Sequence, residues 1–164
     1  KQATAGMDLP FVMIAPQCPA EAWWTDWAQI GALKALVDDA CARLRVDRSR
    51  IYLTGLSMGG YGTWRLAQEY PDLFAAIAPI CGGGQPLRAE RLKNVPSWVF
   101  HGAKDPVVPP RESEAMVEAL RRLGGRVEFT VYPEAGHDSW TAAYDNPALY
   151  EWFLKQRRGE AGAR

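Results

Sequence analysis

Ser57 is the residue whose neighbours are arranged for nucleophilic chemistry: it stands in Gly55-Leu56-Ser57-Met58-Gly59, after the β-rich run 51–54 and before a stretch, 60–70, with helical spacing. Strand, sharp turn and helix in that order are the setting of a G-x-S-x-G nucleophile elbow. The glycines two residues either side of the serine leave out Cβ atoms expected to collide where strand and helix cross, which lets Ser57 occupy a strained backbone with its hydroxyl exposed.

A serine hydroxyl is a weak nucleophile at neutral pH, so this reading requires a histidine base oriented by a carboxylate, in the chain order Ser, Asp or Glu, His. The chain has two histidines. His137, in the turn-rich Pro133-Glu134-Ala135-Gly136-His137-Asp138 that follows the strand-like run 127–132, is assigned as the base. His101 ends the apolar run 98–101 and reads as a structural residue satisfied by a neighbouring backbone group. The acid is assigned to Asp105, on the loop after that same run, because an α/β sheet places its chemistry at the carboxyl ends of its strands. Asp138 is the rival, but as a chain neighbour of His137 it must fold back on itself to reach the ring.

Several elements must position these residues. Residues 10–15 (Pro-Phe-Val-Met-Ile-Ala) form a continuous apolar run expected to be a buried parallel strand. Over 27–45, Ile30, Leu33, Val37, Cys41 and Leu44 recur at helical spacing and predict an amphipathic helix with its apolar face inward. Tyr70-Pro71-Asp72 ends the elbow helix, 74–80 reads as the next strand, and 88–94 as a short helix or loop. A strand over 97–101, a helix over 111–123 stopped by Gly124-Gly125, a strand over 126–132 and a closing helix over 147–155 complete the pattern, with residues 157–164 a frayed tail and 1–9 a terminal arm. Alternating strands and helices predict one α/β domain over 1–164, with a mainly parallel sheet of about five strands covered by helices on both faces. Trp27 is expected to pack in the core at a helix start, whereas one of Trp23 and Trp24, after a strand end, is expected to offer an aromatic wall to the substrate.

The motifs Gly55 to Gly60 followed by Tyr61-Gly62-Thr63-Trp64, Ala78 to Gly84, His101-Gly102-Ala103-Lys104-Asp105 and Gly136-His137-Asp138-Ser139-Trp140, with Pro16-Gln17-Cys18-Pro19 near the start, resemble the α/β-hydrolase superfamily. Within it, the chain is similar to small bacterial carboxylesterases and predicted peptidases related to polyhydroxybutyrate depolymerases and feruloyl esterases. The resemblance implies a fold with further strands before residue 10, one of which lies between the strands at 10 and 51 and ends in a His-Gly loop that donates to the oxyanion hole. No such loop precedes Pro10, so the expected architecture is an α/β-hydrolase fold lacking its N-terminal strands, and with Lys1 as first residue, segments upstream are expected to have been lost. The backbone N–H of Met58 is one oxyanion donor. The second is unassigned, with the Gln17 side chain a possible substitute.

Composition narrows the alternatives. The 164 residues, 48% of them apolar, suffice for one domain with a core, and 19 basic against 19 acidic residues give no electrostatic reason to expect nucleic acid or an anionic membrane. No apolar run approaches a membrane span and no leader resembles a signal peptide. Three cysteines make no complete disulfide framework: Cys41 is expected as a buried thiol, and Cys18 and Cys81 as free thiols near strand ends. The Gly82-Gly83-Gly84 triplet lacks the Lys-Ser/Thr of a phosphate-binding loop, metal-ligand spacing is absent, and no cofactor is expected. The expected function is hydrolysis of carboxylic esters through Ser57, His137 and Asp105 and an acyl-enzyme. The alternative is a weakly active or non-catalytic fragment that needs a complementing chain, with a homodimer expected to fill the gap in the sheet.

Overall fold

The computed structural model describes residues 11–159. The expected arm over 1–9, Pro10 at the head of the expected first strand, and residues 160–164 of the expected tail lie outside them.

Four parallel strands form one sheet in the order β1-β2-β3-β4: β1 (Tyr52–Leu56), β2 (Ala76–Ile80), β3 (Ser97–Gly102) and β4 (Val127–Tyr132). Each strand lies beside its predecessor, and right-handed crossovers then stack every connection on one face. That face carries α1 (Trp27–Arg43), α2 (Met58–Glu69), a 3-10 segment (Pro86–Leu92) and α3 (Arg111–Arg122). Their core unites Trp64, Leu66, Leu92, Met116 and Leu120 with Ile77 and Val99 of the sheet. The chain after β4 turns back to cover the other face with α4 (Trp140–Tyr144) and α5 (Pro147–Leu154), where Leu149 and Phe153 meet Ala78, Ile80 and Phe100. All five residues of β2 are buried, as expected of a parallel strand with a neighbour on each side and a helix layer on each face.

The structure corrects the sequence reading in five places. Residues 12–15 are not a strand: the chain runs without ladder hydrogen bonds and leaves Val12, Met13 and Ile14 70%, 60% and 46% exposed. A parallel strand exists only beside a partner, and β1 is paired on its β2 side alone, so the sheet has four strands among the described residues rather than five. Phe11 alone is anchored, its ring edge-on to Tyr52 at 5.9 Å and 6.4 Å from Tyr150. In α1 only Ile30 is fully buried, while Cys41 is half-buried and Leu44 is exposed beyond the helix end, because α1 rests on α2 rather than on the sheet. Trp27 is 69% exposed, and instead of entering the core it lies under the Arg65 guanidinium, 4.5 Å from its ring centre. Finally, the tail is tied down as far as Arg158, whose N–H donates to the Ser49 carbonyl at 2.9 Å.

Candidate active site

The carboxyl ends of the four strands converge, and each delivers one side chain: Ser57 after β1, Cys81 after β2, Asp105 after β3 and His137 after β4. Ser57 takes φ 51°, ψ −118°, left-handed for a residue with a Cβ. That conformation persists because the backbone is held on both sides: the Ser57 N–H donates to the Ile80 carbonyl at 3.0 Å, and its carbonyl accepts from Tyr61 N–H at 3.1 Å. An added Cβ at Gly55 would lie 2.4 Å from the Gly59 carbonyl oxygen, and one at Gly60 2.4 Å from the Ile80 carbonyl oxygen. Among the described residues nothing lies within 4 Å of the corresponding point at Gly59. Of the two glycines flanking the serine in the motif, the crossing therefore requires Gly55 and not Gly59, and Gly60 takes the second tight position.

His137 Nε2 lies 2.9 Å from Ser57 Oγ, and His137 Nδ1 2.8 Å from Asp105 Oδ2. An ionised carboxylate only accepts, so Nδ1 carries the ring proton and the bare Nε2 faces the serine hydroxyl, the tautomer a base requires. Asp105 is buried, which pushes its carboxyl up, yet the hydrogen bonds from His137, Val108 and Val107 outweigh burial and hold it below the usual carboxylate value. Oδ1 accepts from the Val107 and Val108 N–H groups at 2.8 and 2.9 Å, leaving Oδ2 for the imidazole. Asp138 is turned away: its carboxylate accepts from the Thr141 N–H and hydroxyl, both at 3.0 Å, and steadies the start of α4. As the first residue of α2, Met58 has a backbone N–H with no partner inside the helix, next to the serine.

Two further residues named in the sequence motifs, but given no role there, stand at the site. Trp140 stands edge-on to His137, with centroids 5.2 Å apart at 87°. Three residues after the histidine in a turn-rich segment, it carried no periodic signal. Cys81 has φ 40° and is fully buried, with Sγ 3.3 Å from the Ser57 N–H. Burial pushes its thiol up to about 11, so it is a neutral thiol at physiological pH. Ligating atoms of Cys81, Asp105 and His137 lie within 4.8 Å of one another. The Asp105 and His137 members of that set are already bonded to each other.

An open cleft of 360 Å³ lies along α2, lined by Tyr61, Arg65 and Gln68 of the helix together with Thr25, Gly83, Gly84 and Gln85, and none of Ser57, Asp105 and His137 is among its lining residues. Spacing of four from Tyr61 to Arg65 and of three on to Gln68 places these side chains on one face of α2, a signal the sequence did contain. Of the two tryptophans expected to offer a wall to the substrate, Trp23 is exposed and Trp24 is half-buried with its Cβ packed against Gly62, and neither lines this cleft. Gln17 turns its side-chain amide to the Cys18 carbonyl at 3.4 Å.

Residues 27–146 match the model of the phospholipase/carboxylesterase family. Among relatives, a poly(3-hydroxyoctanoate) depolymerase of Pseudomonas fluorescens is 29% identical over 173 aligned positions, covering 90% of this chain and 60% of that protein. A poly(3-hydroxyalkanoate) depolymerase C of Paucimonas lemoignei is 48% identical over 52 residues, 32% of this chain and 13% of that protein. Among solved structures, a thermostable esterase superposes with a TM-score of 0.84 at 41% identity, over 88% of this chain and 43% of that one. The chain spans about half the length of the curated relatives it matches, from 37% to 60% for three of them.

Proposed function

Because the chain belongs to the phospholipase/carboxylesterase family, within the α/β-hydrolase superfamily, we propose that it is a serine hydrolase of carboxylic esters of small to medium size. One observation carries the reading: two hydrogen bonds, of 2.9 and 2.8 Å, join Ser57 to His137 and His137 to Asp105 across three different strand ends. Kinship to a thermostable esterase and to a polyester depolymerase supports the ester class of substrate.

In this mechanism Ser57 Oγ attacks the ester carbonyl carbon while His137 Nε2 takes the hydroxyl proton. The carbonyl π electrons move to oxygen, and the Met58 N–H donates to the resulting oxyanion. Collapse expels the alcohol, protonated by the His137 imidazolium, and leaves an acyl-serine. Water, deprotonated by the same ring, then attacks the acyl carbon and releases the acid. Asp105 holds the ring in the productive tautomer and stabilises its charged form without accepting its proton. A fluorophosphonate is expected to label Ser57, and Ser57→Ala to abolish hydrolysis of a chromogenic short-chain ester. Labelling of another residue, or undiminished turnover in the variant, would overturn the assignment.

A second reading, a chain of low activity that needs a partner to complete the sheet and the oxyanion hole, is favoured by the outer edge of β1, which pairs with no strand among the described residues. Lack of one oxyanion donor costs about 100- to 1000-fold in rate.

A further inference from the structure

The other histidine of the chain also lies against the Asp105 carboxylate. His101 is the penultimate residue of β3 and is fully buried. Its Nε2 lies 2.9 Å from the Val108 carbonyl oxygen and 3.3 Å from Asp105 Oδ2. Both facing atoms are acceptors, so Nε2 must carry a proton. On the other side of the ring, Nδ1 lies 2.7 Å from the Ser113 hydroxyl, which in turn lies 3.0 Å from the Gly82 carbonyl oxygen.

The backbone of Val108 is thereby held on both sides of its Cα. Its N–H is bonded to Asp105 Oδ1 and its carbonyl to the His101 ring, so the turn from Asp105 to Val108 is closed by the carboxylate and braced by the imidazole. This brace determines which way the carboxylate faces. With Oδ1 fixed by two amides and Oδ2 flanked by Nε2–H, only one oxygen remains for His137, in one orientation. We propose that His101, held by Ser113, is a positioning residue of the hydrolase site, which fixes the Asp105 turn and carboxylate so that Oδ2 meets His137 Nδ1. It touches neither substrate nor the reacting atoms and acts through Asp105. The inference rests on the hydrolase reading above for its kinetic test, but not for its spectroscopic one.

His101→Gln supplies an amide N–H near the place of Nε2, whereas His101→Asn can replace only Nδ1. In the full chain, His101→Asn is expected to lower kcat on a chromogenic ester by about 10- to 100-fold, the scale of a misplacement near 1 Å, with KM nearly unchanged. His101→Gln is expected to recover most of that loss even though both variants lose thermal stability. Ser113→Ala, which removes only the hydroxyl that holds the ring, is expected to lower kcat by a smaller factor. It serves as the decisive variant if the His101 replacements do not fold. Proton NMR gives the second readout. The unmodified chain should show a downfield Nδ1 proton from His137 bonded to Asp105, and this signal should move upfield or broaden in His101→Asn and Ser113→Ala. A merely structural histidine would instead give kcat values that track the folded fraction, no advantage of Gln over Asn, and an unchanged His137 resonance, and any of these overturns the proposal. An unmodified chain that fails to hydrolyse esters or react with a fluorophosphonate, yet shows the Asp105-dependent His137 signal, would overturn the hydrolase reading and leave the positioning role to be judged by NMR alone.

Discussion

At the scale of single residues, the site is a contest among acceptors for a few protons. Asp105 prevails over Asp138 because a carboxylate on a separate loop meets the ring edge in line, while a chain neighbour is turned toward its own helix. Asp105→Asn is expected to lower turnover by about three to four orders of magnitude, since an amide cannot both accept from Nδ1 and balance the imidazolium charge. Asp138→Asn should leave turnover within the same order of magnitude, and steady-state kinetics showing the reverse ranking would transfer the acid role to Asp138. The same carboxylate contributes to stability in one direction of pH. Its folded value lies below the unfolded one, so the contribution is present above about pH 4 and is lost as pH falls through the depressed folded value. The candidate trio was legible in the sequence because each member follows a strand and only two histidines competed. The placement of Cys81 against the Ser57 amide, and of His101 against Asp105, was not. The first depends on the register of β1 against β2, and the second on how the loop after β3 folds back on its own strand, neither of which apolar pattern encodes.

At the scale of elements, sequence pattern succeeded where an element's neighbours are supplied by the chain itself. The elbow helix, β2, β3, α3 and α5 all bury faces visible as apolar spacing, and β4 half-buries Val127 and Phe129. It failed at residues 12–15 and along α1, where the apolar run is present but what would pair with it is not among the described residues; hydrophobic pattern declares a face and cannot say what will cover it. The glycines of the elbow show the same division. The motif marks Gly55 and Gly59 alike, yet only Gly55 faces backbone at a forbidden distance. Gly55→Ala is expected to destabilise the fold by about 1–3 kcal/mol through overpacking. Gly59→Ala, inside a helix with open space before it, should stabilise by about 0.5–1 kcal/mol. Urea melts of the two variants check this, and a destabilised Gly59→Ala would show that the elbow uses the conformational freedom of Gly59 rather than its missing side chain.

At the scale of the whole molecule, the sheet ends on β1 with Thr54 and Leu56 exposed, beside a segment that leaves Val12, Met13 and Ile14 open to water. An unpaired strand edge next to exposed apolar side chains is a template for pairing. We propose that two copies meet there about a twofold axis and form a homodimer. Size exclusion with light scattering decides the matter: a stable, folded monomer at micromolar concentration would rule the dimer out. The order of the strands has one more consequence. The nucleophile and the base are mounted on the two outer strands, β1 and β4, while the acid hangs from β3 inside the sheet. An outer strand opens by fraying, at a fraction of the free energy needed to melt the interior, and its amides exchange with solvent accordingly. Warming that frays either edge would draw Ser57 or His137 away from the rest of the trio while the interior of the sheet was still folded.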